Sequence, residues 1–96
     1  LGPVDVDIAA LKIRRDGKEH PITRREADLV RFFAANPGRV ISREELYRQV
    51  WHDSLEDIET RTVDMHIAKL RNKLESDPAD PQIIKTIRGA GYLYEG

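Results

Sequence analysis

One uninterrupted stretch, residues 59–75, constrains the fold of this chain more than any other part of its sequence. It contains neither Gly nor Pro, and Val63, Ile67, Leu70 and Leu74 recur at the spacing of one helix face. At about 100° per residue, these four side chains fall within roughly 60° of one another. The pattern therefore predicts a helix over residues 59–75 that is anchored to a core along one side only.

The opposite face of this predicted helix is polar, with some basic character. Its side chains are Arg61, Met65, Ala68, Lys69 and Asn72, with Thr62 at the edge. A helix that presents basic, polar and methyl groups on its free side is suited to the major groove of DNA. An ordinary solvated helix face explains the same periodicity equally well. Features in the rest of the chain are needed to distinguish these two interpretations.

Length and composition narrow the classes of protein. The chain has 96 residues and no Cys, which predicts one domain over residues 1–96 and excludes a disulfide scaffold or a cysteine nucleophile. No apolar run approaches the length of a membrane span, and there is no signal peptide, so we expect a cytoplasmic protein. The sequence starts at Leu1 without an initiator Met, so we expect either a domain excised from a longer protein or a cloning remnant at the start.

The net charge of −1 does not by itself indicate a nucleic-acid binder, but the charges are unevenly distributed. Residues 43–60 hold two basic and six acidic side chains, a net charge of −4. Residues 61–75 hold four basic and two acidic side chains, a net charge of +2. The predicted long helix is therefore basic, and the segment before it is acidic.

The first 22 residues predict a small antiparallel sheet over residues 4–22. Apolar residues alternate with Asp from Val4 to Ile8, and Asp16-Gly17 is the signature of a tight hairpin turn. The strand that follows, from Lys18 to Ile22, contains Pro21, which cannot donate to a ladder of hydrogen bonds. We therefore expect that strand at an edge of the sheet.

Residues 23–75 predict three helices. Thr23-Arg24-Arg25-Glu26 and Ser42-Arg43-Glu44-Glu45 are capping-box sequences that open the first two helices. We expect the first helix to end near Ala35 and the second at Trp51. The buried stripe expected in the first helix comprises Ala27, Val30, Phe33 and Ala34, widened by Leu29 and Phe32. Residues 52–58 read as an acidic loop, in which Asp57 is a candidate cap for the third helix.

The end of the chain predicts a β-hairpin over residues 83–95. Residues 83–87 are rich in β-branched side chains, Arg88-Gly89-Ala90-Gly91 forms a turn, and residues 92–94 return as a strand. A sheet, three helices and a terminal hairpin, in this order, predict an α+β winged helix-turn-helix. In that arrangement the third helix enters the major groove, and Arg88 can reach the neighbouring minor groove.

Other functions find less support in the sequence. The three histidines, His20, His52 and His66, have no spacing typical of metal ligands, and there is no nucleophile motif or phosphate-cradling loop. We therefore expect no enzyme activity, no metal and no cofactor. A second hypothesis is a winged helix that binds proteins rather than DNA, which the acidic loop and the net charge would suit.

Several motifs, in this order, resemble the effector domain of OmpR/PhoB-type response regulators. They lie at residues 36–46, at Val50-Trp51, at residues 61–74 and at residues 84–92. The resemblance implies a winged helix-turn-helix with a four-stranded N-terminal sheet. It also implies that the protein binds promoter DNA and regulates transcription in a two-component phosphorelay, where a receiver domain drives dimerisation. Two copies would then occupy tandem half-sites about one helical turn apart.

The resemblance also implies roles for individual residues. The implied DNA contacts are Arg43, Trp51, Arg61, Thr62, Met65, His66, Lys69, Arg71, Lys73, Thr86 and Arg88. Met65 and Lys69 would read bases, and Arg88 would enter the minor groove. The residues implied as phosphate contacts are Thr62, His66, Arg71 and Thr86. Relatives often carry Val at the position of Met65 and a basic pair at Ala68-Lys69, so we expect the DNA site to differ from theirs. The implied RNA polymerase contacts are Asp53, Ser54, Leu55, Glu56 and Asp57.

Overall fold

A computed structural model describes residues 4–51 and 60–96 of the chain. Three short strands open the fold, β1 (Asp5–Asp7), β2 (Lys12–Arg15) and β3 (Lys18–Pro21), in an antiparallel sheet of order β1-β2-β3. Asp16 and Gly17 both have left-handed φ angles, 53° and 76°, as the two-residue hairpin turn requires. β3 lies at the edge of the sheet, which confirms the expectation from Pro21.

The implied four-stranded sheet is wrong for the described residues, since this sheet has three strands. The physical reason is that residues 8–11 form a turn, closed by the Leu11 N–H, which donates to the Ile8 carbonyl at 3.3 Å. With a second turn at Asp16-Gly17, the segment from residue 4 to residue 22 has room for only three strands.

Helix α1 (Arg24–Ala35) begins with the expected capping box. The Thr23 hydroxyl accepts from the Glu26 N–H at 3.1 Å, and the Glu26 carboxylate accepts from the Thr23 N–H at 2.8 Å. Its buried stripe includes Ala27, Leu29, Val30 and Phe33. Ala34 is exposed, so its predicted place in the stripe is wrong, because it lies at the stripe's edge in the last turn of the helix.

Helix α2 (Arg43–Leu46) continues as a π-helical segment, Tyr47–Trp51. Only half of its predicted capping box forms. The Ser42 hydroxyl accepts from the Glu45 N–H at 3.1 Å, but the Glu45 carboxylate turns to the Arg39 guanidinium, at 3.0 and 2.8 Å. A paired cation is a stronger partner for a carboxylate than a neutral N–H, which explains the difference.

Helix α3 (Thr60–Leu74) is slightly shorter than the predicted stretch 59–75. Glu59 lies outside the described residues. Glu75 is the residue directly after the helix. The predicted anchoring stripe is confirmed: Val63, Ile67, Leu70 and Leu74 are all completely buried. Burial of each such side chain contributes about 1.5–3 kcal/mol, which fixes the face that α3 turns to the core.

The wing consists of β4 (Ile84–Ile87) and β5 (Gly91–Tyr94), paired antiparallel. Tyr92 also forms an isolated antiparallel bridge with Ile41, so the wing is joined to the segment before α2. At Gly91 a Cβ atom would lie 2.0 Å from the Ile41 carbonyl oxygen, so this close approach requires glycine. Among the described helices, none is long and apolar enough to cross a membrane.

Glu75 connects the end of α3 to the start of the wing. Its carboxylate is buried and accepts from the N–H groups of Gln82, Ile83 and Ile84, at distances from 2.8 to 3.1 Å. From the sequence alone, Glu75 is predicted only as the last residue of the helix. The carboxylate provides acceptors for backbone donors that would otherwise be buried without partners.

We expect Glu75→Ala to lower the free energy of unfolding by about 3 kcal/mol, because it leaves buried N–H groups without an acceptor. Glu75→Gln keeps one acceptor oxygen and should cost less. Urea denaturation followed by circular dichroism measures both. Ser76→Ala, at an exposed neighbouring position, is the matched control. Equal losses for Glu75→Ala and Ser76→Ala would contradict this role.

Candidate nucleic-acid interface

The solvent side of α3 carries the side chains that the periodicity predicted. Arg61, Met65, Ala68, Lys69 and Asn72 are exposed, and Thr62 is half-buried at the edge. Met65 is 54% exposed, so its side chain lies on this face and does not pack into the core. Within residues 4–51 and 60–96, neither Arg61 nor Lys69 makes a side-chain hydrogen bond or ion pair. This face is free to contact another molecule.

His66 and Trp51 lie together beside this face. The His66 Nδ1 is 2.8 Å from the Thr62 carbonyl oxygen, so Nδ1 carries a proton and Nε2 is left for another partner. The Trp51 ring meets the His66 ring edge to face at 5.1 Å and stacks on Tyr47 at 5.6 Å. Both residues are half-buried, so packing holds them next to the exposed face.

Arg25 supports this aromatic group, and sequence reasoning missed it. Its guanidinium lies 4.7 Å from the centre of the Trp51 ring, and it donates to the Val50 carbonyl at 2.8 Å. That carbonyl lies in the π-helical segment, close to the end of the helix, where backbone acceptors lack helical partners. No sequence signal identifies this contact, because the two residues that it joins are 25 positions apart.

Asp64 connects three elements at the opposite edge of α3. Its carboxylate accepts from the Arg43 Nη1 of α2 at 2.7 Å and from the Tyr92 hydroxyl of the wing at 2.6 Å. Burial and the hydrogen bond to Asp64 raise the pKa of Tyr92 to about 12, so its hydroxyl remains a donor. Arg43, implied as a DNA contact, is therefore paired with a carboxylate. In the sequence, Asp64 stands out only as an acidic residue inside a basic helix.

Arg71 and Thr86, both implied as phosphate contacts, bind each other. The Arg71 guanidinium donates to the Ile84 carbonyl at 2.7 and 3.0 Å and to the Thr86 hydroxyl at 2.8 Å. It also lies 5.3 Å from the centre of the Tyr92 ring. Desolvation lowers the pKa of Arg71 from its ordinary value. Arg71 thus holds the wing against α3, while the Thr86 hydroxyl keeps its own proton to donate.

Lys73 also has a partner within the domain. Its Nζ donates to the Glu26 carboxylate of α1 at 2.7 Å. Burial alone would raise the pKa of Glu26, but the hydrogen bonds from Lys73 and from the Thr23 N–H outweigh it and hold the pKa below its usual range. The implied contact of Lys73 with DNA remains a prediction, and its ammonium group would have to serve both partners.

Arg88 stands at the tip of the wing, as predicted. It is exposed in the turn that joins β4 to β5, and it has no hydrogen bond or ion pair within the described part of the chain. The five implied RNA polymerase contacts, Asp53, Ser54, Leu55, Glu56 and Asp57, lie outside the described residues, as does Asp57's predicted role as a cap. Among residues 4–51 and 60–96, no cluster of His, Asp and Glu could hold a metal ion.

Comparison with known proteins places these features in a family. The family model described as "Transcriptional regulatory protein, C terminal" matches residues 17–94. The chain belongs to this family. It is of the OmpR/PhoB type that the sequence motifs resemble. The DNA-binding response regulator MtrA of Mycolicibacterium smegmatis is 39% identical over 92 residues, which cover 96% of this chain but only 40% of MtrA. The chain thus spans about two fifths of the length of the curated relatives that it matches.

Solved structures agree with this assignment. The response regulator DrrB of Thermotoga maritima, an OmpR/PhoB homologue, matches 99% of this chain and 42% of its own with a TM-score of 0.83 and 34% identity. The DNA-binding domain of RstA from Klebsiella pneumoniae, solved in complex with the RstA box, matches 98% of this chain and 92% of its own with a TM-score of 0.80 and 26% identity. The winged helix-turn-helix is therefore the fold of this domain.

In this OmpR/PhoB-type domain, Arg71→Met should weaken the attachment of the wing to α3 even in the absence of DNA. The change keeps the alkyl stem but removes every donor to Ile84 and Thr86, so the opening free energy of β4 should fall by about 2 kcal/mol. Amide hydrogen exchange measured by NMR should become faster in β4 and β5 and stay unchanged in the centre of α3. Asn72→Ala, on the exposed face, is the control. Unchanged exchange in the wing would show that Arg71 does not hold it.

The Glu26–Lys73 pair predicts a pH dependence of stability. Because the folded state lowers the pKa of Glu26, its contribution is complete above the ordinary carboxyl pKa and is lost as the pH falls through the lowered value. At pH 7, Glu26→Gln should cost roughly 2 kcal/mol. This cost should shrink towards acidic pH in urea denaturation series. Glu44→Gln, at an exposed position, should show no such trend, and a pH-independent cost for Glu26→Gln would refute the assignment.

Proposed function

We propose that this domain binds promoter DNA sequence-specifically and regulates transcription as the output domain of a two-component response regulator. Helix α3 lies in the major groove, and Arg88 lies in the adjacent minor groove. The observation that carries the proposal is the exposed face of α3 with Met65, Lys69 and Arg61, together with the exposed Arg88 of the wing. Within residues 4–51 and 60–96, Arg61, Lys69 and Arg88 have no side-chain hydrogen bond or ion pair. The complex of the RstA domain with its RstA box supports it, because the two domains share their fold.

The side chains divide the work of recognition. Lys69 donates to acceptors on base edges, and Met65 provides an apolar contact of the kind that reads a thymine methyl group. The Thr62 and Thr86 hydroxyls are left to donate to phosphates, and His66 donates through Nε2 only when both ring nitrogens carry protons. These contacts position the helix without reading sequence. Arg88 enters a groove of enhanced negative potential. Arg43, Trp51, Arg71 and Lys73 serve mainly to hold these groups in place.

The longer parent protein extends this proposal. Its relatives are about two and a half times as long as the matched region, which leaves room for a receiver domain. We place two copies of the domain on tandem half-sites, where the binding of one copy favours the binding of the other. The acidic loop 52–58 is our candidate contact for RNA polymerase. The cytoplasm is the compartment in which a response regulator meets promoter DNA.

Selection of bound sequences from a random duplex pool tests the function directly and gives the spacing of the half-sites. On the selected duplex we expect Lys69→Ala to cost about 1–3 kcal/mol of binding free energy, because one base contact is lost. Fluorescence anisotropy with a labelled duplex measures the loss. Binding of the wild-type domain should also weaken steeply with added salt.

Lys18→Ala is the matched control, because Lys18 is an exposed lysine of the N-terminal sheet, on β3. It should change binding far less than Lys69→Ala. If both variants lose the same affinity, Lys69 attracts DNA only through its charge. If the selection enriches no sequence and the wild-type domain retards no duplex, the domain is instead a protein-interaction module, the second hypothesis raised by the sequence.

A further inference from the structure

A cleft of about 340 Å³ separates α3 from the tip of the wing. The N-terminus of α2 closes its third side. Its charged side chains are Arg43, Glu44, Asp64 and Arg88, so two cations face two carboxylates. A surface that binds phosphates usually carries an excess of positive charge. This cleft carries no such excess of positive charge, although it lies between the two elements that would contact DNA.

The position of the cleft determines what would pass over it. A helix in the major groove and a hairpin in the adjacent minor groove lie on either side of one sugar-phosphate strand, because that strand is the wall between the two grooves. Given the proposed function, on which this inference rests, the strand crosses the cleft between α3 and the wing. Its phosphates then approach both Arg43 and Asp64.

Asp64 already occupies the donors that a phosphate would use there. Its two carboxylate oxygens accept from Arg43 at 2.7 Å and from the Tyr92 hydroxyl at 2.6 Å. Guanidinium and hydroxyl groups are common phosphate ligands, and a carboxylate competes for them with the same charge-assisted geometry. The side chains of Arg43 and Asp64 are 45% and 37% exposed, so the pair lies within reach of an approaching strand.

We propose that Asp64 limits the affinity of this domain for the DNA backbone. Its carboxylate neutralises Arg43 inside the domain and repels the strand that crosses the cleft. A phosphate gains Arg43 only by displacing Asp64, so the backbone contact is weak for any DNA sequence. Stable occupancy by one copy is thereby limited, and binding depends on bases read by α3 and on a second copy at the neighbouring half-site.

Asp64→Asn is the primary test, because Asn can still accept from Tyr92 but carries no charge. We expect the affinity for a labelled duplex of random sequence to rise about threefold to fivefold. The slope of log affinity against log salt, measured between about 50 and 200 mM, should steepen by about one, since the released Arg43 neutralises one more phosphate. Arg43→Gln combined with Asp64→Asn should return both values to near those of the wild type.

Asp28→Asn is the matched control, since it removes the same charge from α1, away from the cleft. Thermal unfolding of each variant confirms folding. If Asp64→Asn binds like Asp28→Asn, or more weakly than the wild type, Asp64 does not limit backbone binding and the inference is overturned. If the wild-type domain binds no duplex at all, the proposed function fails, which is a separate and distinguishable result.

Discussion

The burial of one narrow stripe on α3 determines what the rest of the domain can present to a partner. Val63, Ile67, Leu70 and Leu74 are completely buried, and together they hold the helix against the core along a single line. Because a helix has 3.6 residues per turn, fixing this line also fixes the exposed line opposite it. Met65 and Lys69 therefore face solvent for a reason that lies in the core. The packing of the core therefore also determines which side chains α3 exposes to a partner.

The wing depends on a different kind of interaction. A two-stranded hairpin is marginally stable by itself, so its orientation must come from contacts with the rest of the domain. Polar side chains of α3 and of the residue that follows it supply several of these contacts: Asp64 to Tyr92, Arg71 to Ile84 and Thr86, and Glu75 to the backbone before β4. These charged groups therefore help to set the distance between α3 and Arg88, which makes that distance sensitive to single substitutions.

Local patterns in the sequence were sufficient for the architecture. The α3 stripe, the Thr23 capping box, the Asp16-Gly17 turn and the edge position of β3 depend on residues close together in the chain, so periodicity and turn chemistry predict them. The partners of Asp64 and Arg71 lie 13 to 28 positions away, where no periodicity operates. Glu45 shows the same limit at short range, because its choice of Arg39 over a backbone donor depends on where the chain before α2 folds.

These long-range pairs change what the basic residues of the site can do. Of the six cations implied as DNA contacts, Arg43, Arg71 and Lys73 are bonded within the domain. In the described part of the chain, Arg61, Lys69 and Arg88 are not, and they lie on the helix face and the wing tip. In the sequence all six look like equivalent cations, whereas in the fold three of them are bonded to other groups of the domain and hold its elements in place. Under the proposed function, few cations are then left for phosphates, so discrimination between DNA sequences would fall to α3 and to the pairing of two copies.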